Sequence, residues 1–210
     1  MKKIFFTALL LISALSLYSE NCYKPAGHIG CLLDLNSEKG QEIVKKVETE
    51  KRKIYIDSMK YFEKGRFGNE KVGFIEYPKI EGWTLFADVR LPVYAMQMSK
   101  GNGDIYTLMS YDLAKEYKNM NSEKAVEKML KNVYDKYKKA GVSENKMSLE
   151  PVILNGHKGM RFVLTDFQGK SMIKNSVIVK DKLYEITVEG LPKDVIEMQK
   201  VVEKSWNEMK

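Results

Sequence analysis

The side chains that most readily act as nucleophiles, bases and soft metal ligands are scarce in this chain: two cysteines, Cys22 and Cys31, and two histidines, His28 and His157. Cys22 and Cys31 enclose Pro25, Gly27 and Gly30, and in an exported chain such a pair closes a small disulfide loop. A lipid on Cys22 would ask for small residues just before it, whereas Ser19-Glu20-Asn21 puts a charge and an amide there. A metal at the pair would need His28 as a further ligand, and three ligands so close together do not have a zinc spacing. A Ser-His-Asp relay needs a positioned imidazole. His157 falls in the turn Asn155-Gly156-His157-Lys158-Gly159, where solvation is the expectation, and no Gly-x-Ser-x-Gly elbow accompanies it.

The remaining chemistry is equally thin. Asp88, Asp104, Asp112 and Asp166 cannot be told apart from the other acids as glycosidase carboxylates. There is no phosphate loop, dinucleotide fingerprint, EF-hand loop or His-Glu-x-x-His. Gly101, Gly103, Gly156 and Gly159 sit between strand-like runs and turn corners. Met96-Gln97-Met98 offers two soft thioethers that could take a cuprous ion. Two apart on a strand, however, Met96 and Met98 share one face, as core packing also requires. No catalytic, cofactor-binding or metal-binding residue is therefore assigned. The aromatics Trp83, Phe86, Tyr94 and Tyr106 read as sheet residues. Were an apolar ligand carried between sheet and helix, its pocket is expected near Trp83, Tyr94 and Met129.

The elements that would position these residues follow from periodicity. Residues 36–63 are highly charged, yet Ile43, Val44, Val47, Ile54, Tyr55, Met59 and Phe62 recur near helical spacing, giving one long or two shorter amphipathic helices. Lys64-Gly65-Arg66-Phe67-Gly68-Asn69 supplies turn residues and a boundary. Strands are predicted over 72–77, 83–90, 94–99 and 104–111, separated by Pro78, Gly82, Pro92 and Gly101-Asn102-Gly103. A helix then opens at Asn121-Ser122-Glu123, carries Ala125, Val126, Met129, Leu130, Val133, Tyr134 and Tyr137 on one face, and closes at Lys138-Lys139-Ala140-Gly141.

A second strand series is predicted over 149–154, 160–167, 172–179 and 183–189, joined by hairpin turns. In the last of these, Tyr184, Ile186 and Val188 alternate with Glu185, Thr187 and Glu189, which predicts one buried and one wet face. A final helix after Leu191-Pro192 puts Val195, Met198, Val202 and Trp206 on one stripe. Antiparallel strands with a central and a C-terminal helix packed on them make an α+β fold, an α-β-α sandwich.

Lys2 and Lys3 before an apolar run from Ile4 to Leu17, followed by small residues offering cleavage after Ser16 or Ser19, have the pattern of a secretory signal peptide over residues 1–19. The run is too short to span a bilayer, which takes about 20 residues. Export to the periplasm or the extracellular space is expected, with no transmembrane segment in the mature chain. Losing Lys2 and Lys3 takes the net charge from +7 to +5. Because acids interleave with the lysines, this is a solvated surface and not a nucleic-acid face.

From residue 72 onward the order of elements resembles the PsbP/DcrB-like family. The hairpin at Trp83-Thr84-Leu85-Phe86, a strand into the central helix, Val152-Ile153-Leu154-Asn155-Gly156-His157-Lys158-Gly159-Met160, the late strand Lys182-Leu183-Tyr184-Glu185-Ile186-Thr187, and Ser205-Trp206 near the end carry the likeness. The resemblance implies an α-β-α sandwich around an antiparallel sheet, used by relatives as a docking module or an envelope protein, without a shared catalytic motif to carry over. It divides the chain into a signal peptide (1–19), an N-terminal extension with the cysteine loop and charged helix (20–71), and the sandwich domain (72–210). The functional expectation is a non-catalytic binding protein of the cell envelope with a protein partner. A carrier of a small apolar or lipid-like ligand is the alternative, and a hydrolase with a dispersed site the third.

Overall fold

The computed structural model describes residues 38–76, 82–86, 95–112, 121–180 and 182–208. The signal segment, the Cys22–Cys31 loop, His28, Asp88 and Tyr94 lie outside them. The charged amphipathic segment is a single helix, α1 (Glu38–Phe62). The hairpin β1 (Arg66–Asn69) and β2 (Gly73–Glu76) follows, then β3 (Trp83–Phe86), β4 (Met96–Lys100), β5 (Ile105–Asp112) and α2 (Ser122–Lys139). A 3-10 turn, Glu144–Lys146, leads into β6 (Met147–Leu154), β7 (His157–Phe167), β8 (Lys170–Val179), β9 (Lys182–Gly190) and α3 (Pro192–Ser205).

Strands β3 to β9 form one antiparallel sheet in the order β3-β4-β5-β9-β8-β7-β6. The chain leaves the sheet after β5, passes through α2 and the β6–β7–β8 meander, and returns with β9 beside β5. Residues of alternating parity then serve two cores. One core holds Met96, Met98, Tyr106, Leu108, Val177, Ile186 and Val188 of the sheet, closed by Phe62 of α1, by Phe67 and Ile75 of the hairpin, and by Val195, Met198 and Val202 of α3. The other holds Phe162, Leu164 and Leu183, closed by Val126 and Leu130 of α2. This is the α-β-α sandwich that the pattern predicts.

Local chemistry sets the helix ends. Asn121 caps α2 by accepting from the backbone N–H of Glu123 at 2.8 Å, and Pro192 starts α3 where its missing N–H costs nothing. Two turn assignments differ from the sequence reading. Residues 66–69, read as part of a turn, form β1: Phe67 is buried, and Gly68 with φ +128° lets the backbone pass close to Gly73, where a side chain would collide. His157, read as a turn residue, is the first residue of β7, because Asn155 (φ 48°) and Gly156 (φ 79°) close the turn alone. The β1–β2 hairpin straddles residue 72, and α1 and β1 share a core with the strands after it.

Candidate functional site

Met147–Leu154 is an outer strand of the sheet, and Pro151 in its middle lacks an N–H, which an edge tolerates. Between this β6–β7 hairpin and the N-terminal half of α2 lies a cleft of about 410 Å3. Its walls are Glu123, Val126 and Glu127 from the helix and Pro151, Val152, Ile153, Lys158, Gly159, Met160 and Ile178 from the strands. Ile153 is 70 % exposed, the most exposed of the large hydrophobic side chains among the described residues, and its cross-strand partner is Lys158. Glu123 and Glu127, one helical turn apart, are exposed at the opposite wall, and neither carboxylate makes an ion pair among the described residues. The arrangement is an apolar floor with a carboxylate pair on one bank and an ammonium on the other, which can hold a group by burial and by charge.

The floor is backed by a polar network. On the far face of the sheet Arg161 donates from Nε to Asn175 Oδ1 at 2.8 Å and pairs with Glu203 of α3 at 2.6 Å. Asn175 Nδ2 in turn donates to Gln199 Oε1 at 2.9 Å. Burial raises the Glu203 carboxyl, but hydrogen bonds from Gln199 and Arg161 outweigh it and hold the group below its ordinary range.

Among the described residues, His157 meets a carboxylate and no serine. Its Nε2 lies 2.9 Å from Glu208 Oε1, Asn155 Nδ2 donates to the other carboxylate oxygen at 3.2 Å, and its ring packs edge-on against Trp206. Burial pushes Glu208 up, yet its own backbone hydrogen bond, His157 and Asn155 together keep it below the usual carboxylate range. The pair ties the chain end to the β6–β7 turn. Among the described residues, no group of three metal-ligating His, Cys, Asp or Glu side chains is gathered, and no helix is long and apolar enough to cross a membrane.

Of the three residues expected around an apolar ligand, the two that are described lie on opposite faces of the sheet. Trp83 packs on Tyr106 at 5.1 Å in the α1/α3 core, whereas Met129 packs in the α2 core across the sheet, and Tyr94 lies outside the described residues. Met96 and Met98 are core residues, and Met96 Sδ accepts hydrogen bonds from Ser58 Oγ at 3.2 Å and Asn69 Nδ2 at 2.8 Å. The cleft residues escaped the sequence reading because Ile153 looks like any inward strand residue. The one signal was Pro151, which marks an edge strand and so an open flank.

The face of β9 expected to be wet is instead covered. Glu185 is 2 % exposed and Thr187 8 %. Lys174 of β8 donates to Glu185 Oε1 at 2.8 Å, which answers the charge inside the protein. Glu189 on the same face is driven upward by burial, with Lys170 opposing.

No family model and no curated protein sequence matches the chain. Among solved structures, it is similar to the cyanobacterial PsbP (CyanoP) of Synechocystis sp. PCC 6803, with a TM-score of 0.43 and 12 % identity over 68 % of this chain and 90 % of that one. It is similar also to LpqN, involved in cell envelope biogenesis of Mycobacterium tuberculosis, with a TM-score of 0.32 and 12 % identity over 62 % of this chain and 80 % of that one.

Proposed function

We propose that this chain is an exported, non-catalytic binding protein of the cell envelope that docks a partner protein in the cleft between α2 and the β6–β7 hairpin. The observation that carries this reading is Ile153, an aliphatic side chain exposed at the mouth of an apolar cleft on an open sheet edge. Exposed apolar surface bordered by charge is the usual mark of an interaction site. The charges specify the occupant. A segment with an aliphatic side chain for the Val126–Met160–Ile178 floor and a basic side chain for Glu123 and Glu127 complements both walls. Export rests on the Lys2-Lys3 and Ile4-to-Leu17 pattern at the N-terminus.

The test is a photo-crosslinker placed at residue 153, and in a control at the exposed Ile196 of α3, in cells that produce the protein. The expected result is one discrete protein adduct from position 153, absent from position 196, whose crosslinked peptide carries an aliphatic residue beside a lysine or arginine. In that background E123K/E127K should reduce the adduct about tenfold, equivalent to the ~1.4 kcal/mol that a few rim charges can supply. Identical adducts from both positions, or none from 153, would overturn the docking reading. A lipid or other small-molecule adduct at 153 would replace it with the carrier reading.

A further inference from the structure

Beneath the α2 side of the sheet lies a buried polar patch that docking at the cleft does not use. Pairing of β8 with β9 sets Lys174 opposite Thr187 and Ser176 opposite Glu185. All four share a face, since they alternate with Ile173, Val177, Ile186 and Val188 of the other core. They therefore occupy the corners of a rectangle. One diagonal is closed by the Lys174–Glu185 ion pair at 2.8 Å. The other joins Ser176, 0 % exposed, and Thr187, whose Oγ atoms have no hydrogen-bond partner among the described residues. Thr187 faces Thr107 on its other side, but no hydrogen bond joins the two hydroxyls; Thr107 Oγ1 accepts from Gln97 Nε2 at 3.0 Å.

Two buried hydroxyls left unpaired are costly, and native proteins answer nearly all such groups. Diagonal neighbours on an antiparallel pair are about 7–8 Å apart at Cα, too far for two short side chains to meet, so only a third group lying beside the Lys174–Glu185 pair can join them. A cation there would face the Lys174 ammonium and an anion the Glu185 carboxylate, so the occupant is neutral. It must both donate and accept. We propose that one water molecule resides at this position, bridging Ser176 Oγ and Thr187 Oγ1 beside the Lys174–Glu185 pair, and that it acts as a cross-link between β8 and β9. The position bears on the cleft, because Ser176 pairs with Met160 and stands two residues before Ile178, both of which form its floor.

The experiment counts long-lived internal waters by oxygen-17 magnetic relaxation dispersion in the full-length mature protein and in S176A, T187V, T187S and S176A/T187V, with denaturant unfolding of each. T187V is isosteric, so it preserves the fold, and T187S keeps the hydroxyl. The expected result is one long-lived water fewer in S176A/T187V and an unchanged count in T187S. In unfolding, each single deletion should lower the folding equilibrium constant about fivefold, with the second costing less than the first because the two share one water. An unchanged count in the double variant, or loss of the water in T187S as well, would overturn the proposal. The crosslink at residue 153 is read independently, so failure here leaves the docking reading standing and failure there leaves this one.

Discussion

Single residues on the α2 side of the sheet make the ionisation of the interior measurable. Tyr137 stacks on Phe162 with ring centroids 5.6 Å apart and packs edge-on against Phe167. Burial, with a smaller contribution from the Glu189 carboxylate, raises its phenol from 10.0 to about 12. In the unfolded chain the phenol ionises near its ordinary value, so between those two values the unfolded state has lost the proton that the folded state keeps. Stability from this group is therefore fully present below about pH 10 and is lost as pH rises toward about 12. Tyr137→Phe retains the ring contacts and removes the titration. Its unfolding midpoint should fall less steeply than the wild type's from pH 10 to 11.5, measured by denaturant titration, and parallel curves would refute the assignment. The acidic groups divide by environment: Glu189 is raised by burial, whereas Glu203 and Glu208 are held low because hydrogen bonds outweigh their burial.

At the scale of elements, α2 forms one wall of the cleft, and its N-terminus fixes the position of Glu123, Val126 and Glu127. Asn121 does this through bonds from the backbone N–H groups of Glu123 and Lys124. Asn121→Ala should cost about 1 kcal/mol in urea unfolding, Asn121→Ser much less, and the crosslink from residue 153 should weaken with the first only. Equal losses for both would mean that the cap is not what positions the wall. This helix was legible in the sequence from Asn121 to Gly141, as was the β6–β9 meander, because long amphipathic periods and Asn-Gly-type turns are local signals. The hairpin β1–β2 was half hidden. Gly65, Gly68 and Asn69 read as breakers, and only the arrival of Trp206 and Asn207 over Gly73 and Phe74 explains why those residues form strands.

The whole molecule is closed by its last residues. Trp206, 2 % exposed, packs against Tyr184 at 5.7 Å and His157 at 6.3 Å. Asn207 and Phe74 exchange backbone hydrogen bonds of 2.8 and 2.9 Å, and Ser205 Oγ accepts from the Glu76 N–H at 3.0 Å. Residues far apart in sequence thus join α3, the hairpin and the β6–β7 turn. Trp206→Ala should cost about 3–5 kcal/mol, with the β1–β2 amides losing hydrogen-exchange protection before those of β8 and β9. Uniform loss across the sheet would show that the chain end does not act as a separate fastening.

Some properties of this protein were set by sequence alone, since they depend on neighbours a few residues apart: the helical and strand periods, the caps and the tight turns. These suffice for an α-β-α sandwich and for the absence of a recognisable catalytic motif in the chain. Tertiary structure decided the rest. Which face of β9 is wet depends on what covers it, and Glu185 and Thr187 are polar in sequence yet buried in the fold. That Ile153 is exposed depends on β6 lying at the sheet edge, and that Trp83 and Met129 stand apart depends on which side of one sheet each faces. Strand order and burial are long-range quantities, so residue type specifies the cost of a position while only packing shows where that cost falls.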